Sequence, residues 1–146
     1  MTQAKTVLIL CTGNSCRSQM AQALVNHDLG PQMRAISAGT QPQPKVADGA
    51  IAALQHAGIA VTGLYPKDVN AVLQEAIDLV ITVCDNAREA CPIFPRVIPS
   101  VHLPFHDPHG EPLESFIQVM NEIRAKLVPE VARRLGVLQP TPGDSR

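Results

Sequence analysis

Val7-Leu8-Ile9-Leu10-Cys11-Thr12-Gly13-Asn14-Ser15-Cys16-Arg17-Ser18 is the stretch on which the reading of the whole chain turns. A short, apolar run of strand-forming residues ends in a cysteine. Small polar residues follow, then an arginine, a serine and a helical pattern. The order predicts a strand over 5–10, a tight turn, and a helix from Ser18 to about Asp28. Successive amides in such a turn form a concave nest for an oxyanion. The helix N-terminus adds unpaired donors and the positive end of its dipole. Arg17 contributes a planar fork able to hold two oxygens. Thr12, Gly13, Asn14, Ser15, Cys16, Arg17 and Ser18 are therefore the candidate anion-holding residues, and Cys11 at their focus is the candidate nucleophile. Its thiol pKa is expected to fall below about 8.5, the value of a free thiol. Ser18 can hydrogen-bond the sulfur or cap the helix. No Gly-Lys-Ser/Thr closes the loop, which separates it from nucleotide-binding P-loops.

Working outward, Met33–Ala38 reads as a second strand closed by Gly39, and Gln41-Pro-Gln-Pro as a loop. Ala47, Ala50, Ile51 and Leu54 mark a helix within 46–57. Pro66 opens a short helix with Val69, Val72, Leu73 and Ala76 inward. Leu79–Val83 is a continuous apolar run, the pattern of a central parallel strand covered on both faces. Val97–Val101 is a further strand, placed at an edge by Pro99. Leu113, Phe116, Ile117, Met120, Ile123, Leu127, Val131 and Leu135 mark a long C-terminal helix that Pro129 should kink or divide. Strands alternating with helices predict an α/β fold, a three-layer sandwich in which a four-stranded parallel sheet carries helices on both faces. One catalytic domain over 1–138 is expected, with a disordered tail at 139–146. Ligands of such sheets bind beyond the carboxyl ends of the strands. Cys11, Cys84 and the loop at 105–109 all follow strands, so they should meet on one rim.

Composition narrows the function classes. The 146 residues carry a net charge of −1, an isoelectric point near 6.5 and a mean hydropathy of +0.06. That balance offers no broad electrostatic attraction to nucleic acid or to a membrane surface. Aromatic residues make up 3% with no Trp, too few to stack single-stranded bases. No apolar run nears the roughly 20 residues that span a bilayer, and the N-terminus leads straight into a strand. The cytoplasm is the expected compartment. Four cysteines there point to thiol chemistry before a disulfide framework.

Cys84 closes the third strand, and Cys91 follows in Asp85-Asn-Ala-Arg-Glu-Ala-Cys-Pro. A disulfide needs Cα atoms within about 7 Å, whereas seven residues of helix rise roughly 10 Å. The two sulfurs can pair only if the segment between them loops or unwinds. A buried strand-end thiol with an incidental surface one, or a zinc site drawing on Cys84, Cys91, His102, His106 or His109, are the other readings of the residues. The cysteine spacing is long for a zinc knuckle. Asp107, in Phe105-His106-Asp107-Pro108, is a carboxylate in a stiffened turn, and Asp-Pro pairs are common in plain turns. The histidines at 102, 106 and 109 read as solvated loop residues. Cys16 reads as a small residue shaping the turn, with a side disulfide to Cys11 under oxidation as the rival.

Cys11-x5-Arg17-Ser18 after an N-terminal strand resembles the low-molecular-weight protein tyrosine phosphatases. The fuller string through Gln19-Met20-Ala21, with Val83-Cys84-Asp85-Asn86-Ala87 and Cys91-Pro92, resembles the thioredoxin-coupled arsenate reductases of that superfamily. The resemblance implies that Cys11 attacks arsenate. Cys84 then attacks Cys11, releasing arsenite and leaving a Cys11–Cys84 disulfide. Cys91 next attacks Cys84, and thioredoxin reduces the resulting Cys84–Cys91 pair. It implies a general acid at Asp107, no cofactor, and a monomer. The alternative is a tyrosine phosphatase working through a Cys11 phosphocysteine. The chain departs from the pattern in two places. Val101-His-Leu-Pro-Phe has no Trp before the Asp-Pro pair, and Gln22 stands where potassium-binding members carry an acidic residue. No metal is expected, although Asn14, Ser37 and Asp68 are the oxygen donors nearest that position in the pattern.

Overall fold

The computed structural model describes residues 4–85, 94 and 97–136. Cys91 and the expected tail at 139–146 lie outside the described residues. The chain runs β1 (Lys5–Cys11), α1 (Arg17–Leu29), β2 (Met33–Gly39), α2 (Asp48–His56), a 3-10 turn (Val69–Val72), β3 (Leu79–Thr82), β4 (Ser100–His102) and α3 (Leu113–Leu135). The four strands form one parallel sheet in the order β2-β1-β3-β4. The expected α/β class and four-stranded parallel sheet are the observed ones.

Burial explains the order. Val7, Leu8, Ile9 and Leu10 have no exposed surface, and every residue of β3 is buried, so both faces of the two central strands are covered. β4 alternates only weakly and sits at the edge, as Pro99 requires. It begins one residue after that proline, later than the run 97–101 predicts. Val97 is fully exposed, and the Pro99 carbonyl serves as an acceptor for Val80 N–H at 2.9 Å.

The helix expected from Pro66 is a single 3-10 turn, capped by Asp68, whose carboxylate accepts from Asn70 N–H. Pro129 lies within α3 but does not divide it, because α3 runs unbroken to Gly136 in a left-handed cap. α1, α2 and α3 pack on one another, and Arg124 of α3 grips Asp28 of α1 with two hydrogen bonds of 2.8 and 2.7 Å.

Sheet order also places the site. The chain leaves β1 toward β2 on one side, and β3 returns on the other, so the carboxyl end of β1 is a topological switch point. Hydrogen bonding continues past the strands there: Val83 N–H donates to Leu10 C=O, and Phe105 N–H donates to Val83 C=O. Cys11, Cys84 and Asp107 stand one or two residues beyond Leu10, Val83 and Phe105. Register alone brings them together.

Candidate active site

The loop 12–16 is turned inside out relative to a helix. The carbonyls of Cys11, Thr12, Gly13 and Ser15 accept from the amides of Thr40, Gln41, Gln43 and Ala47 at 2.7–3.3 Å. With its carbonyls engaged outward, the loop aims its amides inward, which is the polarity an anion needs. Gly39 permits the close approach, since a Cβ there would lie 2.5 Å from the Thr12 carbonyl oxygen. The segment 40–47, read from sequence only as a loop, is thus the cuff that orients the cradle. Nothing in its composition announces that role.

Asn14 makes the turn, with φ at 50° in the left-handed region. Asparagine tolerates that region better than most residues. Its amide nitrogen donates to Ser18 Oγ at 2.8 Å and Ser37 Oγ at 3.0 Å, and its oxygen accepts from Lys67 N–H at 2.8 Å. Gln19 donates to the Asn14 carbonyl at 2.9 Å and the Tyr65 carbonyl at 2.8 Å. Asn14, Ser18, Gln19 and Ser37 have no exposed surface. Ser18 therefore faces Asn14 behind the loop, and the residue at the helix cap is Cys16, which makes no side-chain cap bond. Sequence reasoning named Ser37 only as an oxygen donor for potassium and gave Gln19 no role. A glutamine among the apolar residues of α1 was the available signal.

A cavity of about 940 Å³ opens over the loop. Cys11, Thr12, Gly13, Ser15, Cys16 and Arg17 line it from the cradle, and Cys84 and Asp107 from the facing rim. Cys11, Cys16 and Cys84 are buried cysteines. Cys84 Sγ stands 3.2 Å from Thr12 Oγ1, and its thiol lies against that of Cys11. Arg17 bridges the two sides: Nη1 donates to the Phe105 carbonyl at 3.0 Å, and Nη2 is 3.6 Å from Asp107 Oδ2. Its buried Nε has no partner among the described residues, an open donor beside the anion nest. Asp107 is half-exposed and accepts from His109 N–H at 3.1 Å, so its own turn orients it.

The expected depression of the Cys11 pKa is not what the structure shows. Cys84, pressed against Cys11, raises it most, and burial raises it further; Arg17 and the Thr12 N–H pull the other way. Two thiols in contact in a buried site cannot both ionise. This arrangement disfavours the Cys11 thiolate. Cys16 is pushed up to about 12, first by burial and then by Asp107.

The histidines divide. His106 pairs with Glu111 on the exposed rim. His102 is not a solvated loop residue: it ends β4, its side chain is 20% exposed, and both ring nitrogens are engaged. The residues at the potassium position do not fit that ion. Ser37 donates to Gln22 Oε1 at 2.6 Å, Asn14 is committed as above, and Asp68 caps the 3-10 turn. A neutral amide and acceptors already in use replace a carboxylate. Among the described residues, no helix is long and apolar enough to cross a membrane.

Residues 6–135 match the model of the low molecular weight phosphotyrosine protein phosphatase family. Arsenate reductase 1 of Bacillus cereus is 37% identical over 127 residues, covering 87% of this chain and 94% of its own length. The crystal structure of an arsenate reductase from Archaeoglobus fulgidus superposes with a TM-score of 0.73 at 28% identity, covering 86% of this chain and 98% of that one. A low molecular weight protein tyrosine phosphatase from T. tengcongensis shares the fold, with a TM-score of 0.76 at 24% identity over 90% and 99% of the two chains. The chain therefore belongs to the low molecular weight phosphotyrosine protein phosphatase family, and its relatives at 37% identity are arsenate reductases.

Proposed function

We propose that this protein reduces arsenate to arsenite. The observation that carries the reading is the second buried thiol, Cys84, against Cys11 at the mouth of an anion cradle. A phosphatase needs the cradle, a nucleophile and an acid, whereas a reductase also needs a thiol within reach of the nucleophile.

Arsenate enters the nest of amides, and the Arg17 guanidinium, with Nε open, neutralises it. Cys11 Sγ attacks arsenic and forms an S–As bond. One arsenate oxygen leaves as water, with a proton delivered by Asp107 and replaced by the one Cys11 gives up. Cys84 Sγ then attacks Cys11 Sγ. An S–S bond forms, the S–As pair of electrons leaves with arsenic, the Cys84 proton passes to the departing arsenite, and arsenic falls from the +5 to the +3 state while two sulfurs are oxidised. Cys91 takes Cys84 in a second exchange that frees Cys11, and the dithiol of thioredoxin reduces the Cys84–Cys91 pair. Thr12, Gly13, Ser15 and Cys16 supply the amides, with Asn14 and Ser18 holding the loop from behind. We place this chemistry in the cytoplasm, in a monomer that draws electrons from thioredoxin.

The test is arsenate-dependent NADPH oxidation in the presence of thioredoxin and its reductase, beside hydrolysis of p-nitrophenyl phosphate. The native chain should do the first. Cys84→Ser should abolish it and keep the second, which needs only Cys11, Arg17 and Asp107. A native chain that hydrolyses the phosphate ester and never oxidises NADPH with arsenate is a phosphatase working through a Cys11 phosphocysteine.

A further inference from the structure

We infer that His102 is a positioning residue for Cys84, its imidazole joining the side chains of Thr82 and Asp85 on either side of that thiol. The inference rests on the reductase reading above and concerns the step in which Cys84 attacks Cys11.

Thr82 and His102 are register partners in β3 and β4, so their side chains meet at the same height of the sheet. Thr82 Oγ1 lies 2.8 Å from His102 Nδ1, and Asp85 Oδ1 lies 2.8 Å from His102 Nε2. Thr82 and Asp85 bracket Val83-Cys84, so one ring spans the two residues that carry the thiol. An ionised carboxylate only accepts, which puts the hydrogen on Nε2 and makes that nitrogen the donor to Asp85. The neutral ring then receives the Thr82 hydroxyl hydrogen at Nδ1. A doubly protonated ring donates to Oγ1 instead, so both contacts survive in either state.

Position decides what the clamp does. Val83 is fixed by the ladder bonds to Leu10 and Phe105, and Cys84 is the first residue beyond the ladder. The His102–Asp85 contact ties the chain back to the sheet edge immediately after Cys84. The thiol thus points along one direction, toward Thr12 Oγ1 and Cys11 Sγ. Thiol exchange demands that the attacking sulfur approach in line with the bond it breaks, and small misplacements slow such steps steeply. The mechanism otherwise gives this half-buried imidazole no task.

The experiment uses the Cys91→Ser chain, in which the relay stops at the Cys11–Cys84 disulfide. After mixing with arsenate, samples are quenched in acid and alkylated, and the disulfide is counted by mass spectrometry. Hydrolysis of p-nitrophenyl phosphate, which does not use Cys84, is measured on the same protein. His102→Phe should slow disulfide formation about tenfold while kcat and KM for the ester stay unchanged. His102→Gln, which can still reach Asp85, should recover most of the rate; His102→Asn, which reaches only Thr82, should recover less. Equal disulfide rates in His102→Phe and its parent overturn the inference, as does a parallel loss of both activities. Should His102→Phe fail to fold, the Gln and Asn variants decide, and equal rates in those two overturn it. If the parent forms no disulfide with arsenate, the reductase reading fails on its own. The same series oxidised with diamide then tests the clamp: slower pairing in His102→Phe supports it, and an equal rate overturns it.

Discussion

The cradle and the rim that faces it are held by opposite kinds of contact. Behind the cradle, Asn14, Ser18, Gln19 and Ser37 form a polar network without exposed surface, and the backbone of 40–47 grips the loop from outside. On the rim, Asp107 is half-exposed, Asp85 is 81% exposed, and the His106–Glu111 pair stands in solvent. Gln19 Oε1 is the one buried atom of that network without a partner among the described residues. Buried, hydrogen-bonded networks over-determine a geometry, whereas exposed pairs are worth little. The difference assigns work. Anion binding belongs to a part that arrives preformed, and proton delivery by Asp107 belongs to a part able to adjust. Arg17 is the side chain shared between them, seated in the cradle and bonded to the rim at Phe105 and Asp107.

Arg17→Lys tests that shared position and should have the largest effect. A lysine keeps the charge but loses the fork, and kcat/KM for p-nitrophenyl phosphate should fall by about 10³-fold. A fall of less than tenfold would mean that charge alone, without a planar donor set, holds the anion.

Stability should separate the two regions next. Asn14→Ala leaves Ser18, Ser37 and the Lys67 amide without their partner in a buried site, a loss of about 3 kcal/mol. Denaturant unfolding of Asn14→Ala beside His106→Ala checks it, because breaking the rim pair should cost only about 0.5 kcal/mol. Similar losses in the two variants would erase the distinction.

The last effect is a pH dependence, silent at neutral pH. The folded chain raises the Cys16 thiol from its ordinary 9.0 to about 12, so above pH 9 the unfolded chain releases a proton that the folded chain keeps. Stability from this group is intact below pH 9 and is lost as pH climbs toward 12. Urea midpoints should be flat through neutrality and decline above pH 9, with part of the decline removed in Cys16→Ala. A midpoint that rises with pH in that range would contradict the burial of Cys16 as a neutral thiol.

What could be read from the sequence follows the same division. Val7–Leu10 and Leu79–Val83 gave themselves away as central strands because burial on both faces leaves Thr82 as the one polar position in either run. Once Cys11 and Cys84 were known to end such strands, their meeting followed from the rule for parallel sheets. Features that depend on pairs distant in the chain were hidden. His102 looks like any loop histidine until β4 sets it beside Thr82 and Asp85. The Cys11 pKa was misjudged because the sequence displays Arg17 and the amides but not a second thiol pressed against the first. The start of β4 was misplaced because Val97, apolar by type, is wholly exposed in the fold.

The account stands on electrons passing between Cys11 and Cys84. A single turnover of the Cys91→Ser chain with arsenate, and no external reductant, measures that transfer directly. One arsenite and one Cys11–Cys84 disulfide should form per chain. A chain that still hydrolyses p-nitrophenyl phosphate but yields neither arsenite nor the disulfide would contradict it.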